Sequence, residues 1–174
     1  MDPHRATSSG PVAAPPDGEV AALVGPWLWS FPTTYLVHFV EESFAGVGFD
    51  RWVARVSGHP LTRTQFRSLN LLYGAAMVGT VAAVRGRPAR AWMVPGLGTV
   101  VALNGAGHVV GSVVTRTYSP GAVSGALLWF PLGVWAIQRS RRALSRAELR
   151  RGVAAGLAVS AGVVITAAVV SRSH

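Results

Sequence analysis

The chain has 174 residues, of which half are hydrophobic and 13% charged, with a formal net charge of +9 and a mean hydropathy of +0.37. An average soluble domain carries roughly a quarter charged residues, so the composition argues against a soluble domain and for the bilayer as solvent, with length enough for one domain. The absence of cysteine excludes disulfides, thiolate metal ligands and cysteine nucleophiles, and leaves nitrogen and oxygen donors for any metal.

Residues 1–19 (MDPHRATSSGPVAAPPDGE) are rich in Pro, Ser and Gly without apolar periodicity, and read as a disordered tail. The tail lacks the basic, apolar and small-residue order of a signal peptide, so the hydrophobic run behind it is expected to remain in the mature protein. Residues 20–174 read as one all-α domain, a polytopic membrane helix bundle of about five transmembrane helices plus one short interfacial helix. Five charge-free runs carry that expectation: Val20 to Val40, Ser68 to Val84, Ala91 to Thr115, Thr117 to Gln138 and Gly152 to Ser171. Each approaches or exceeds the roughly 20 residues that cross a hydrocarbon core of about 30 Å. The predicted spans are about 20–43, 66–84, 91–115, 120–138 and 152–171.

In chain order, the first helix is expected over about Val20 to Ser43, with Pro26 and Pro32 bending it or delaying its regular part. Gly48 to Gly58 puts Phe49, Trp52, Val53 and Val56 on one helical face, away from Asp50, Arg51 and Arg55, as in a helix lying among headgroups. The second helix follows from about Thr64, and the third after the basic turn RGRPAR. In YSPG, Ser119 is placed to cap a fourth helix that starts at Pro120. Ser145 and Glu148 have the spacing of a capping box for the fifth. The short connections imply antiparallel neighbours, and the glycine pairs Gly107 with Gly111 and Gly152 with Gly156 suit close helix approach in lipid.

All sixteen basic residues are arginines. A positive excess can mark a nucleic-acid binder, but these arginines stand between hydrophobic runs, where membrane topology accounts for them, so nucleic acid is not an expected partner. The loops at Arg85 to Arg90 and Arg139 to Arg151 hold nine, and the other side has six: Arg51, Arg55, Arg63, Arg67, Arg116 and Arg172. The positive-inside rule then places a multi-pass protein in the plasma membrane with its N-terminus in the cytoplasm. Trp27, Trp29, Trp92 and Trp135 fall near the arginine-rich side, as an aromatic belt.

Two polar clusters interrupt the apolar pattern. On the first helix His38, Glu41 and Glu42 stand at i, i+3 and i+4, able to face one way within a turn. A charged side chain deep in a membrane costs roughly 3 kcal/mol on insertion scales, so two adjacent carboxylates require either the headgroup region or a function. On the third helix Asn104, His108, Ser112 and Arg116 recur every four residues. The first and third helices run in the same direction, which puts His38 and His108 at similar depth. Imidazole and carboxylate together suit a divalent metal ion, Zn, Fe or Mn, which would also neutralise the carboxylates. The same groups suit a metal-free acid–base site, or a histidine bonded to a neighbouring helix and nothing more.

HFVEE at 38–42, NGAGHVVGS at 104–112 and YSPG at 118–121 together resemble the HXXEE family of small membrane proteins, which pairs an HxxEE motif with a further histidine and a YxPG motif among predicted membrane helices. The matching residues are His38, Glu41 and Glu42, then His108, then Tyr118, Pro120 and Gly121, and FDRW at 49–52 is similar to the family's aromatic and basic connection. The resemblance covers roughly Trp27 to Gln138. It supports the site without naming a reaction.

The expectation is a membrane-embedded, metal-dependent enzyme acting on a lipid or other hydrophobic substrate, a prenyl compound among the options. His38, His108, Glu41 and Glu42 are the metal ligands. Glu41, Glu42 or Tyr118 handles a proton, and Asn104 and Ser112 bind substrate. The alternatives are a metal-free isomerase, cyclase or hydrolase, and a small-molecule transporter or binding protein. A transporter needs polar groups spread through the membrane depth, and the fourth and fifth helices offer almost none: Ser124 and Ser160 are small, and no charge interrupts either run.

Overall fold

The first hydrophobic run does not form one helix. Gly25 is extended and Pro26 cannot donate a backbone hydrogen bond, so helix α1 (Asp17–Leu23) ends before them. A 3₁₀ turn (Pro26–Trp29) then re-aims the chain into α2 (Ser30–Phe44). Pro32 sits within the first turn of α2, where a missing N–H costs nothing. The computed structural model describes residues 17–58 and 61–172, and among them every regular element is helical. Most of the expected N-terminal tail lies outside the described residues, and Asp17, Gly18 and Glu19, assigned to it, begin α1 instead.

Helix α3 (Phe49–Ser57) is the expected amphipathic piece, opened by Gly48 at φ +82° and closed by Gly58 at φ +70°. Helix α4 (Arg63–Val84) starts on a capping box of Thr62 and Gln65, a signal the sequence reading passed over. A 3₁₀ turn (Pro88–Met93) leads into α5 (Val94–Thr115), which Arg116 ends in a left-handed conformation. Helix α6 (Ala122–Ser124), a π turn (Gly125–Trp129) and α7 (Phe130–Ala143) follow with right-handed backbone through both junctions, so they form one rod with a widened turn. Ser145 and Glu148 then build the expected capping box for α8 (Arg146–Arg172).

Helix α5 is central, packed along α7 and α8, while α2 pairs with α4. Glycine makes the α5 contacts possible. An added Cβ on Gly105 would lie 2.6 Å from the Gly125 carbonyl oxygen, one on Gly98 would lie 2.8 Å from that of Gly133, and one on Gly156 would lie 2.6 Å from that of Gly96. The expected pair Gly152 and Gly156 thus does bring backbones together. The pair Gly107 and Gly111 does not: Gly107 faces open space and Gly111 accepts the Trp52 ring. Around these seams Leu28, Phe31, Val81, Val94, Val101 and Trp129 are buried without water contact.

Among the described residues, two helical segments are long and apolar enough to cross a membrane: Pro88–Thr115, with mean hydropathy 1.5, and Arg146–Thr166, with 1.4. Little of the second is covered by the rest of the chain, for Leu157, Val164 and Ile165 all point outward. Leu71, Leu72, Val113 and Leu127 on other helices are exposed as well.

Candidate functional site

A 100° step per residue separates neighbours on an α-helix, so the two glutamates of HFVEE cannot face the same way. The buried face of α2 carries Phe31, Tyr35, His38 and Glu42. Glu41 lies off that face and turns toward the loop after α5. The motif therefore serves two places at once.

On the buried face, His38, Glu42 and His108 form a trio from α2 and α5, each less than about a tenth exposed. Glu42 Oε1 lies 3.1 Å from His108 Nε2 and 3.6 Å from His38 Nε2. The other ring nitrogens are tied to serines: His38 Nδ1 to Ser124 Oγ at 2.7 Å, and His108 Nδ1 to Ser119 Oγ at 3.1 Å. With the protons on Nδ1, both imidazoles donate to a hydroxyl and turn their Nε2 lone pairs toward Glu42, the outer-shell arrangement that orients metal-binding histidines. The rings meet at 80° with centroids 4.9 Å apart, and Trp129 stacks on His38 at 4.1 Å while Phe49 covers His108 at 4.9 Å.

Glu41 holds the loop that supplies those serines. Its Oε1 accepts the Tyr118 hydroxyl at 2.5 Å and the Val123 N–H at 2.9 Å, and its Oε2 accepts the Ser124 N–H at 2.6 Å. A carboxylate on the first free N–H groups of the α6 to α7 rod satisfies donors that have no partner inside the helix and complements its dipole. Tyr118, partly desolvated and bonded to Glu41, has its hydroxyl pushed up to about 12, so the proton stays on the tyrosine. Gly121 completes the loop at φ +99°. A Cβ there would meet both imidazoles at 2.8 to 2.9 Å, so the turn closes over the trio only without a side chain.

Of the residues expected to act at the site, the structure brings His38, Glu42 and His108 together and places Glu41 on the loop, with its three acceptor contacts already made. Asn104 lies within reach of the His38 ring, and its Oδ1 is buried without a hydrogen-bond partner. The Ser112 hydroxyl is engaged by protein: it donates to the His108 carbonyl and accepts the Ser119 N–H, which fixes Ser119 for the imidazole. Ser119 does not cap a helix from Pro120. The rod begins at Ala122 after Gly121, and the serine hydroxyl goes to His108 instead. Arg116 leaves the expected ridge because the helix ends there. Sequence reasoning missed Ser119 and Ser124 as histidine partners, and Trp129 as the floor under His38. Ser119 lies inside YSPG and could have been suspected, but Ser124 meets His38 across 86 positions of sequence, with no local pattern to announce it.

The donors fit a metal ion. Bonds of about 2.0 to 2.1 Å in a tetrahedral shell place neighbouring donors roughly 3.3 Å apart, and the carboxylate oxygen stands 3.1 and 3.6 Å from the two nitrogens. All three donor atoms lie within 4.8 Å of one another, and His38 Nε2 is buried with no hydrogen-bond partner. Two imidazoles and one carboxylate make a three-ligand set that leaves a further position open.

No curated protein and no solved structure matches the chain. The family described as protein of unknown function with HXXEE motif matches residues 29–136, well over half of the sequence, and spans every residue of the trio and of the loop that closes over it. The chain belongs to this HXXEE family.

Proposed function

We propose that the chain is a multi-pass membrane enzyme whose His38, Glu42 and His108 hold one divalent metal ion, Zn, Fe or Mn, and which acts there on a lipid or other hydrophobic substrate. One observation carries the reading: two imidazoles, each with Nδ1 tied to a serine, turn their Nε2 atoms to the same buried carboxylate oxygen. A carboxylate this buried is costly without a cation, and a divalent ion would offset that cost. The five charge-free runs and the outward-facing apolar side chains support a membrane setting.

An ion held by His38, Glu42 and His108 would supply Lewis-acid chemistry near neutral pH. The residues of the chain do the rest. Ser119 and Ser124 fix the ring orientations, Trp129 and Phe49 exclude water from the imidazole faces, and Glu42 supplies the negative charge. Glu41 keeps Tyr118 as a protonated donor beside the loop, the chain's candidate for moving a proton. A second reading is favoured by the 3.1 Å contact between His108 Nε2 and Glu42 Oε1, which is an acid–base pair in its own right and suits a metal-free isomerase, cyclase or hydrolase.

Elemental analysis of detergent-purified protein decides between the two. We expect about one equivalent of Zn, Fe or Mn per chain, lost in His38→Ala, His108→Ala and Glu42→Gln. A protein that stays metal-free when expressed in metal-replete medium, and takes up none on titration, leaves the acid–base pair as the site.

A further inference from the structure

Beside the trio lies a cavity of about 270 Å³ whose wall includes His108 and Asn104 of α5, Tyr73 of α4, and Val163 and Val164 of α8. Its two long walls are α5 and α8, the same helices that are apolar and long enough to cross a membrane. Leu103, Val163 and Val164 line it yet remain exposed, so it opens sideways between those helices through an apolar rim. A ligand that enters there comes from the hydrocarbon.

Among the polar groups of the lining, which include His108, Ser119 and Ser160, two have no bond made. The Tyr73 hydroxyl and Asn104 Oδ1 are both buried; neither makes a hydrogen bond of good geometry, and the one group within reach of the amide is the His38 ring, which the trio already uses. A buried polar group with no bond made is destabilising, and both groups belong to residues lining the same space. The lining thus calls for a molecule that accepts from the phenol and donates to the amide oxygen while leaving apolar surface against the valines. A hydroxyl does both, and it serves either orientation of the amide. A carboxylate cannot donate, and the charge of Glu42 nearby repels it. A hydrocarbon would leave both polar atoms unsatisfied.

We infer that this cavity binds a membrane-soluble long-chain alcohol, which enters between α5 and α8, lays its chain along Leu103, Val163 and Val164, and sets its hydroxyl between Tyr73 and Asn104. The inference rests on the reading of the neighbouring trio as the centre that would act on that hydroxyl. It also gives α8 a purpose that no motif in the sequence signals: the helix is the second wall of the entrance.

The test is equilibrium binding of radiolabelled dodecan-1-ol to the full chain in detergent, with metal content measured on the same preparations. Saturable binding of about one molecule per chain is expected, with dodecane and dodecanoate competing at least tenfold less well. Loss of one hydrogen bond of about 1 kcal/mol predicts a roughly five- to tenfold weaker Kd for Tyr73→Phe. Leu103→Trp fills the space from α5 and should abolish binding. Val163→Phe obstructs it from α8 and should weaken binding strongly, which guards against a folding defect in the first variant. Metal content should be unchanged in all three. Absence of saturable binding to a metal-loaded wild type overturns the alcohol site alone, and so does equal competition by dodecane, or wild-type affinity in Leu103→Trp. Saturable alcohol binding to a wild type that takes up no metal overturns the metal reading of the trio and leaves the cavity assignment standing.

Discussion

Adjacent carboxylates in one largely apolar helix look redundant until their directions are followed. Glu42 shares the buried face of α2 with His38, whereas Glu41 reaches across to accept Tyr118 and two backbone N–H groups. A glutamine at position 41 keeps one acceptor oxygen and turns an NH₂ group against a backbone donor. The loss of charge-assisted bonds should cost about 2 kcal/mol, lowering the melting temperature of Glu41→Gln in detergent by several degrees while most of the metal is retained. Glu42→Gln should do the reverse, losing the metal and leaving the metal-free fold as stable as before or more so, since a buried charge has been removed. Equal metal loss in both variants would sink this division of labour. The residue types of the site were legible because His38, Glu42 and His108 interrupt apolar runs, where ionisable groups stand out. Their partners were not, because serines such as Ser119 and Ser124 are ordinary in a membrane helix or turn, and their hydroxyls acquire meaning only when distant segments meet.

At the scale of elements, charge-free runs located the helices but not the joints between them. The break at Gly25 and Pro26 and the π turn before Phe130 both fall inside runs that hydropathy reads as continuous. A π turn shifts the register of the rod, and Trp129 at its end is the residue that stacks on His38. Glycine spacing was a poor guide for a related reason: four-residue pairs abound in a chain with 20 glycines, and contact depends on which face meets a neighbour. The glycines that matter lie across from one another, as Gly98 and Gly133 do. Gly133→Val would drive a side chain into the Gly98 carbonyl and into Ala102, prising α5 from α7. The expected cost is about 3 kcal/mol, read as a large fall in melting temperature together with loss of the bound metal, because α5 carries His108. Gly162→Ala meets nothing within 4 Å and should be neutral or slightly stabilising. Similar melting temperatures for the two variants would mean that the α5 to α7 seam is not a tight contact in solution.

The whole molecule is polarised. The Gly86 N–H donates to the Val24 carbonyl, which ties the end of α4 to the end of α1, just before the turn into α2. At that end Arg139 lies over Trp27 and Trp135, and Arg151 lies 3.9 Å over Trp92. These cation–π contacts gather arginines and tryptophans into the kind of belt that forms at a membrane surface. Helices α2 and α5 both begin there and both carry their share of the trio near the opposite end; if the chain spans the membrane as proposed, the positive-inside rule sets the trio toward the non-cytoplasmic face. Because the chain has no cysteine, single cysteines can report this without further engineering. Arg146→Cys, in the arginine-rich loop, should react with a membrane-impermeant maleimide only after the cells are permeabilised, and Arg63→Cys, at the exposed start of α4, should react in intact cells. The reverse pattern would turn the protein over and put the trio toward the cytoplasm. Labelling of both positions in intact cells would break the five-span reading itself, since residues 63 and 146 can share a side only if an odd number of the segments between them fails to cross.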